Sequence, residues 1–460
     1  MVPKLLERLG FRQLRLRAGP ATGPDLRTIV GREMLASRAR SVLLAVMKRP
    51  ILFLGVVCAA PLSADDLPEP KFEAQSIDDA IRIGYGLAVG DVDGDKKDDI
   101  ILADKTDIVW YRNPDWKKSV IASQLTLMDN VCLAARDLDG DGKVEIAAGA
   151  QWNPGETNDE TKSGAVFYLQ RPADLSQPWT PVKLPHEPTV HRMKWVRTGD
   201  RQFHLVVVPL HGRGNNPQTG EGAPVKVLSY AFPADPSQAA NWTTAVVDDT
   251  LHKTHNFDLR ASHSGAEWLW LGGKEGAQRI EWKSGRWQSE PVRHEGMNEG
   301  IGEIRGFGRQ ILALIQPMHG NKVTFYHEDF QPAVIDESLN QGHALVCTTL
   351  LGRGFPEVAA GWREPNKDGK VGIRLYVRDD SDGHEKWSTH TIDDNKMACE
   401  DLVAADLDGD KRPDLIAAGR ATHNVVIYWN KTAPLAGASK ERPDLPPLTD
   451  DEKARIKKKD

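Results

Sequence analysis

LVAADLDGDKRPDLIAAGRATHNVVIYWN, residues 402–430, is the stretch that decides the fold. An apolar run from Leu402 meets an acidic, glycine-containing turn. A second run begins at Leu415, and a third, from Val425, follows a polar turn. Short apolar runs between turn residues read as buried strands. The pattern recurs as LAVGDVDGDKKDDIILADKTDIVWYRN from Leu87 and as LAARDLDGDGKVEIAAGAQWN from Leu133. A degenerate copy, LVCTTLLGRGFPEVAAGWRE, starts at Leu345.

Each triplet is followed by a short strand led by an aromatic residue. The leads are Trp116, Trp179, Trp242, Trp287, Phe330 and Trp387. A seventh, FEAQSIDD from Phe72, precedes the first triplet. These strands alternate apolar and polar residues, as half-exposed strands do. Four strands per repeat of roughly 40–50 residues describe a propeller blade. The chain opens on an outer strand and closes on an inner triplet. The expected fold is therefore an all-β, seven-bladed propeller over 65–432, closed by its N-terminal strand, which leaves no open edge between blades.

The acidic turns are DVDGDKKDD (Asp91–Asp99), DLDGDGKVE (Asp137–Glu145) and DLDGDKRPD (Asp406–Asp414). Carboxylates stand at loop positions 1, 3, 5 and 9, and a hard cation wants several such oxygens. At these residues the chain resembles the FG-GAP or VCBS repeat family, which includes the propeller of integrin α-subunits. The resemblance implies structural calcium in three loops. The ligands would be Asp91, Asp93, Asp95 and Asp99; Asp137, Asp139, Asp141 and Glu145; and Asp406, Asp408, Asp410 and Asp414. Carbonyls of Lys97, Lys143 and Arg412 would complete the shells.

Fold alone assigns no function, so the blades were compared at one position. Counting back from the second strand, Glu400 precedes Leu415, His343 precedes Val358 and Tyr85 precedes Ile100, each by 15 residues. His255 and His191 fall 14 before Leu269 and Leu205, and Glu299 falls 12 before Ile311. The second blade offers Val131, with Asp129 and Asn130 beside it. His191, His255, Glu299, His343 and Glu400 are thus expected to converge at the channel mouth. Such a ring can hold a second divalent metal (zinc, manganese or magnesium) with an open ligand position, and can supply a general base. Loops on the same rim carry Lys105, Trp152, His211, Arg213, Lys274, His319, Trp362, Arg363, Arg420 and His423. Together with Tyr85, all but Lys105 are the candidate substrate-binding residues. Aromatic and cationic side chains there suit a polyhydroxylated or anionic ligand.

The blades and the ring together look like the propeller domain of aldos-2-ulose dehydratases. That resemblance implies a metal-dependent carbon–oxygen lyase acting on keto-sugars or oxidised glycosides. The alternative is a non-enzymatic calcium-binding propeller that holds a protein or glycan. No GxSxG elbow, Walker loop, Rossmann fingerprint or CxxCH site occurs, which removes serine hydrolase, nucleotide and cytochrome readings as defaults.

Ahead of the propeller, residues 47–64 read as a secretory signal. Lys48 and Arg49 precede an apolar run, Ile51–Ala60, too short to span a bilayer. Residues 1–46 are expected to be an over-extended start, with a transit peptide as the alternative. Removing 1–64 takes away 11 of 59 basic and 3 of 65 acidic residues, and the net charge moves from −6 to −14. An acidic secreted or periplasmic protein makes nucleic acid a poor partner. A carbohydrate ligand is expected, with a protein partner open and no membrane span. Cys132, Cys347 and Cys399 have no disulfide spacing and read as buried thiols. Residues 433–460, rich in Pro and charge, read as a disordered tail.

Overall fold

A computed structural model describes residues 68–262, 265–379 and 384–434. The expectations for residues 1–64 and for most of 433–460 lie outside the described residues.

Seven four-stranded antiparallel sheets follow one another around a ring. The innermost strands are Gly86–Gly90, Cys132–Arg136, Val190–Gly199, Thr254–Ala261, Glu303–Phe307, Gly342–Thr348 and Cys399–Ala405. Six sheets are local, each built from four consecutive strands. The seventh takes its outer strand from the far end of the chain. Phe72–Asp78 pairs antiparallel with Val425–Asn430, from Phe72 against Asn430 to Asp78 against Val425. The ring is closed as its sequence phase requires.

The core lies between blades. Each blade interface has its own apolar cluster. The aromatic lead of each outer strand explains its recurrence there. Trp179 of blade two packs with Ile108 and Trp110 of blade one, and Trp242 of blade three packs with Tyr168 of blade two, ring centroids 5.4 Å apart. Phe72 likewise belongs to the cluster between blades six and seven. Each outer strand therefore locks its blade onto the preceding one. Cys132, Cys347 and Cys399 are free and buried in inner strands.

Strand alternation turns successive inner side chains to the two faces of the blade, each packed on a neighbour, so the inner strand meets the channel along its edge. In four blades a bulge interrupts that alternation near the start of the inner strand. The register shifts between Val190 and Arg192, Thr254 and Phe257, Gly342 and Ala344, and Cys399 and Asp401. His191, His255, His343 and Glu400 sit within those shifts. A bulge re-aims a side chain, and all four residues are buried beside the channel mouth.

Candidate metal centre at the channel mouth

The strand register defines equivalent positions. Leu205 pairs with Trp195, Leu269 with Leu259, Val358 with Cys347 and Leu415 with Ala404. His191, His255, His343 and Glu400 each lie four residues before those partners, and Tyr85 lies four before Val89, the partner of Ile100. In blade five Ile311 pairs with Phe307, so the equivalent residue is Glu303, not Glu299. Phe307 and Ile311 are four residues apart, whereas the matched partners of the other blades are ten or eleven apart, so counting along the sequence overshoots by four residues here. Glu299 lies instead in a 3-10 turn, half exposed, where it pairs with Lys322.

Three imidazoles meet. Ligand atoms of His255, His319 and His343 all lie within 4.8 Å of one another. Their ring centroids are 4.5 Å (His255–His319), 5.0 Å (His319–His343) and 5.1 Å (His255–His343) apart. His319 was expected as a ligand-binding rim residue. A left-handed φ of 53° at this position of the QPMHG turn accompanies a ring directed to His255, with the two Nε2 atoms 2.7 Å apart.

The tautomers follow from the carbonyls around them. His255 Nδ1–H donates to Gly302 O at 2.8 Å, and His343 Nδ1–H donates to Glu400 O at 2.7 Å. In each case the acceptor is the inner strand of the next blade. A backbone carbonyl only accepts, so Nε2 of both rings is left with a bare lone pair. His319 Nε2 faces the Nε2 of His255, and with its proton on Nδ1 it too turns a bare lone pair to the same point. Burial lowers the pKa of His191, His255, His319 and His343 and keeps the rings neutral. Neutral imidazoles with bare nitrogens on one point fit a divalent transition metal.

Glu303 is fully buried. Its Oε2 accepts from Asn256 Nδ2 at 2.7 Å and lies 3.0 Å from Arg305, while Oε1 lies 3.3 Å from His255 Nδ1. Despite burial, which raises it, the Arg305 charge and the neighbouring His255 ring N–H hold its pKa down at about 2. Glu400 contributes its carbonyl to His343, but its carboxylate is clamped by Arg363 (2.9 Å) and Arg420 (3.0 Å). Arg420 in turn stacks over Tyr85, whose hydroxyl donates to Asp129 at 3.0 Å.

His191 lies beside the trio, 4.6 Å from His255 and edge-on to Trp152 at 5.0 Å. Its Nδ1 is buried with no partner among the described residues. The other rim residues are committed elsewhere. Trp362, expected as an open platform, is buried between blades five and six, donates to Lys370 O and lies under Arg374. Its side chain belongs to the sheet face, one alternation away from Arg363. Arg213 pairs with Glu160 and Glu187 and ties loop 153–164 down. His211 is buried, Lys274 donates to Thr219 O, and His423 Nδ1 bonds Arg82 O.

At the first-to-second strand turns, three carboxylates converge in each of three blades: Asp91, Asp93 and Asp99; Asp137, Asp139 and Glu145; Asp406, Asp408 and Asp414. The position-5 residues Asp95, Asp141 and Asp410 stand apart and pair with Lys97, Lys143 and Arg412. The position-9 carboxylate is the structural one. Asp99 accepts the N–H groups of Val92 and Asn113, and Asp414 those of Leu407 and Asn430. Burial, opposed by those bonds and reinforced by neighbouring carboxylates, pushes Asp99 and Glu145 up to about 7 and Asp414 to about 6. Blade six lacks the acidic loop, and there Arg353 donates to Glu357, the position-9 residue, at 2.7 Å. A guanidinium occupies the role that a cation would fill in the acidic blades.

Comparisons with known proteins bear on this geometry. Residues 163–329 match the β-propeller domain of aldos-2-ulose dehydratase. That span holds His191, His255, Glu303 and His319. Residues 91–148, with two acidic loops, match the FG-GAP-like repeat. Aldos-2-ulose dehydratase of Phanerodontia chrysosporium is 25% identical over 268 residues, 53% of this chain and 28% of that protein. The match thus spans little more than a quarter of that relative. Among solved structures, a chain from BBS1N in complex with ARL6DN aligns with TM-score 0.50 at 12% identity, over 80% of this chain and 98% of its own. This likeness concerns the propeller fold alone. No helix among the described residues is long and apolar enough to cross a membrane.

Proposed function

We propose that this chain is an exported propeller lyase that removes water from a keto-sugar of the aldos-2-ulose type, with His255, His319 and His343 holding a divalent metal. The observation that carries the reading is the trio itself. Three neutral imidazoles share one point, and the Nδ1–H groups of His255 and His343 are spent on backbone carbonyls. A channel that merely fills space has no need of that arrangement. The likeness to the dehydratase propeller supports the same reaction class. Export rests on the pattern of residues 47–64, and structural calcium on the three acidic loops.

A cation at the trio would polarise the sugar carbonyl and acidify the neighbouring C–H. The chain supplies the rest. His191, neutral and with Nδ1 unspent, takes the proton from that carbon. The C–H electrons form the C=C bond as the C–O bond one carbon further breaks. The departing hydroxide takes that proton back from the His191 imidazolium and leaves as water, so the products are an enone and water and His191 is neutral again. The charge of Glu303 behind His255 raises the basicity of the ring's far nitrogen. Arg363 and Arg420, fixed by Glu400, orient sugar oxygens at the mouth.

The test is to incubate the purified protein with an aldos-2-ulose and follow the conjugated enone by ultraviolet absorbance. Activity should vanish on chelation, return with added zinc, manganese or magnesium, and be lost in His191→Ala with metal content retained. No turnover by metal-replete protein would favour the second reading, a non-enzymatic calcium-braced propeller for a glycan or protein. The acidic loops and Arg353 support that reading independently of the channel.

A further inference from the structure

A second cluster lies outside the channel, on the side wall between blades four and five. Trp268 and Trp270, two residues apart on one strand, share the face packed against Ile304, Leu312 and Leu314 of blade five. Both indoles are buried, and neither Nε1–H has an acceptor among the described residues.

Both indoles line a cleft of about 570 Å³. Its other walls are polar and aromatic. The Arg279 guanidinium lies 5.3 Å over the Trp268 ring and also reaches Glu281 at 3.1 Å. Arg293 and Arg309 line the same cleft, against one acidic lining residue, Glu290. His294 from blade four and Phe330 from blade five stack face to face across the seam, with centroids 4.1 Å apart and planes at 6°, leaving an outer aromatic face toward the cleft.

We propose that this cleft is a second ligand site, for a sugar unit that carries an anionic group. The carboxylate of a uronic acid or a sulfate ester meets the guanidinium groups, which favour such oxyanions. The apolar face of the pyranose lies on an outer ring face of the His294–Phe330 stack, with the Trp268 and Trp270 rings walling the cleft. The site shares no residue with the histidine trio and stands whether or not the channel is catalytic.

The experiment is a titration at low ionic strength, by calorimetry and tryptophan fluorescence, with methyl glucuronide, glucose 6-sulfate and methyl glucoside. One or both anionic sugars should bind, at least about tenfold more tightly than the neutral glycoside, as expected for a charge-assisted contact of roughly 1.5–3 kcal/mol. Which anionic sugar binds identifies the carboxylate or sulfate source. Arg293→Ala, at an exposed position, should weaken binding by a similar factor, while His343→Ala should leave it unchanged. Equal binding of charged and neutral sugars, no binding of any, or indifference to Arg293→Ala would overturn the proposal. So would loss of binding in a folded His343→Ala protein, which would assign the sugar to the channel instead.

Discussion

The Glu303 carboxylate lies 3.3 Å from Nδ1 of His255, and both side chains are wholly out of solvent. A buried carboxylate behind an imidazole fixes the ring and raises the basicity of its far nitrogen. Glu303→Gln keeps the shape and removes the charge. It should weaken metal binding about 10- to 100-fold, read by competition with a chromophoric chelator. Unchanged affinity would reduce Glu303 to a partner of Arg305 and Asn256 only.

Ring closure rests on six register pairs between Phe72–Asp78 and the last strand. Deleting residues 65–80 bares the edge of Val425–Asn430, and exposed edges aggregate. The shortened protein should aggregate or lose cooperative unfolding. A melting curve like that of the full chain would show that closure contributes little.

For the acidic loops, excess EGTA should lower the melting temperature, because a ligand of the folded state stabilises it by mass action. Asp93→Ala, Asp139→Ala and Asp408→Ala should each remove part of that shift. Arg353→Ala should destabilise by leaving Glu357 buried and short of a charge, equally with and without calcium. Stability indifferent to chelation and to all three aspartate changes would make these loops ordinary acidic turns.

His204 supplies a pH dependence away from both centres. It lies 4.8 Å from Trp282 and 5.7 Å from Trp287, and burial lowers its pKa to about 4. Its unfolded value is about 6.5. Between these values the unfolded chain binds the proton and the folded chain does not, so stability falls as pH drops from about 6.5 to about 4. The melting temperature of the wild type should decline more steeply over that window than that of His204→Phe. Parallel profiles would remove His204 from the acid response.

The blade repeat was legible because it is local. Each aromatic lead, apolar triplet and acidic turn reports on its own few residues, and even closure followed from the phase at Phe72. The histidines of bulged strands were legible for the same reason, since a constant distance separates them from the second strand. Blade five broke that constancy. Its short hairpin moved the equivalent residue from Glu299 to Glu303, a shift that only the Phe307–Ile311 pairing reveals. His319 joined the trio through the conformation of a rim turn, and Trp362 left the rim through strand alternation. Neither has a signal in residue type or spacing. The cleft that joins Trp268 and Trp270 of blade four with Arg309 and Phe330 of blade five crosses a blade seam and is likewise invisible in one dimension.

The central claim is that His255, His319 and His343 bind a metal distinct from calcium. Elemental analysis of the full-length protein, purified without added chelator, measures it directly. The account predicts one equivalent of a transition metal or magnesium per chain, resistant to mild EGTA and absent from folded His255→Ala, His319→Ala and His343→Ala proteins. Wild-type protein that holds only calcium after supply of zinc, manganese and magnesium, or variants that retain the full equivalent, would contradict it.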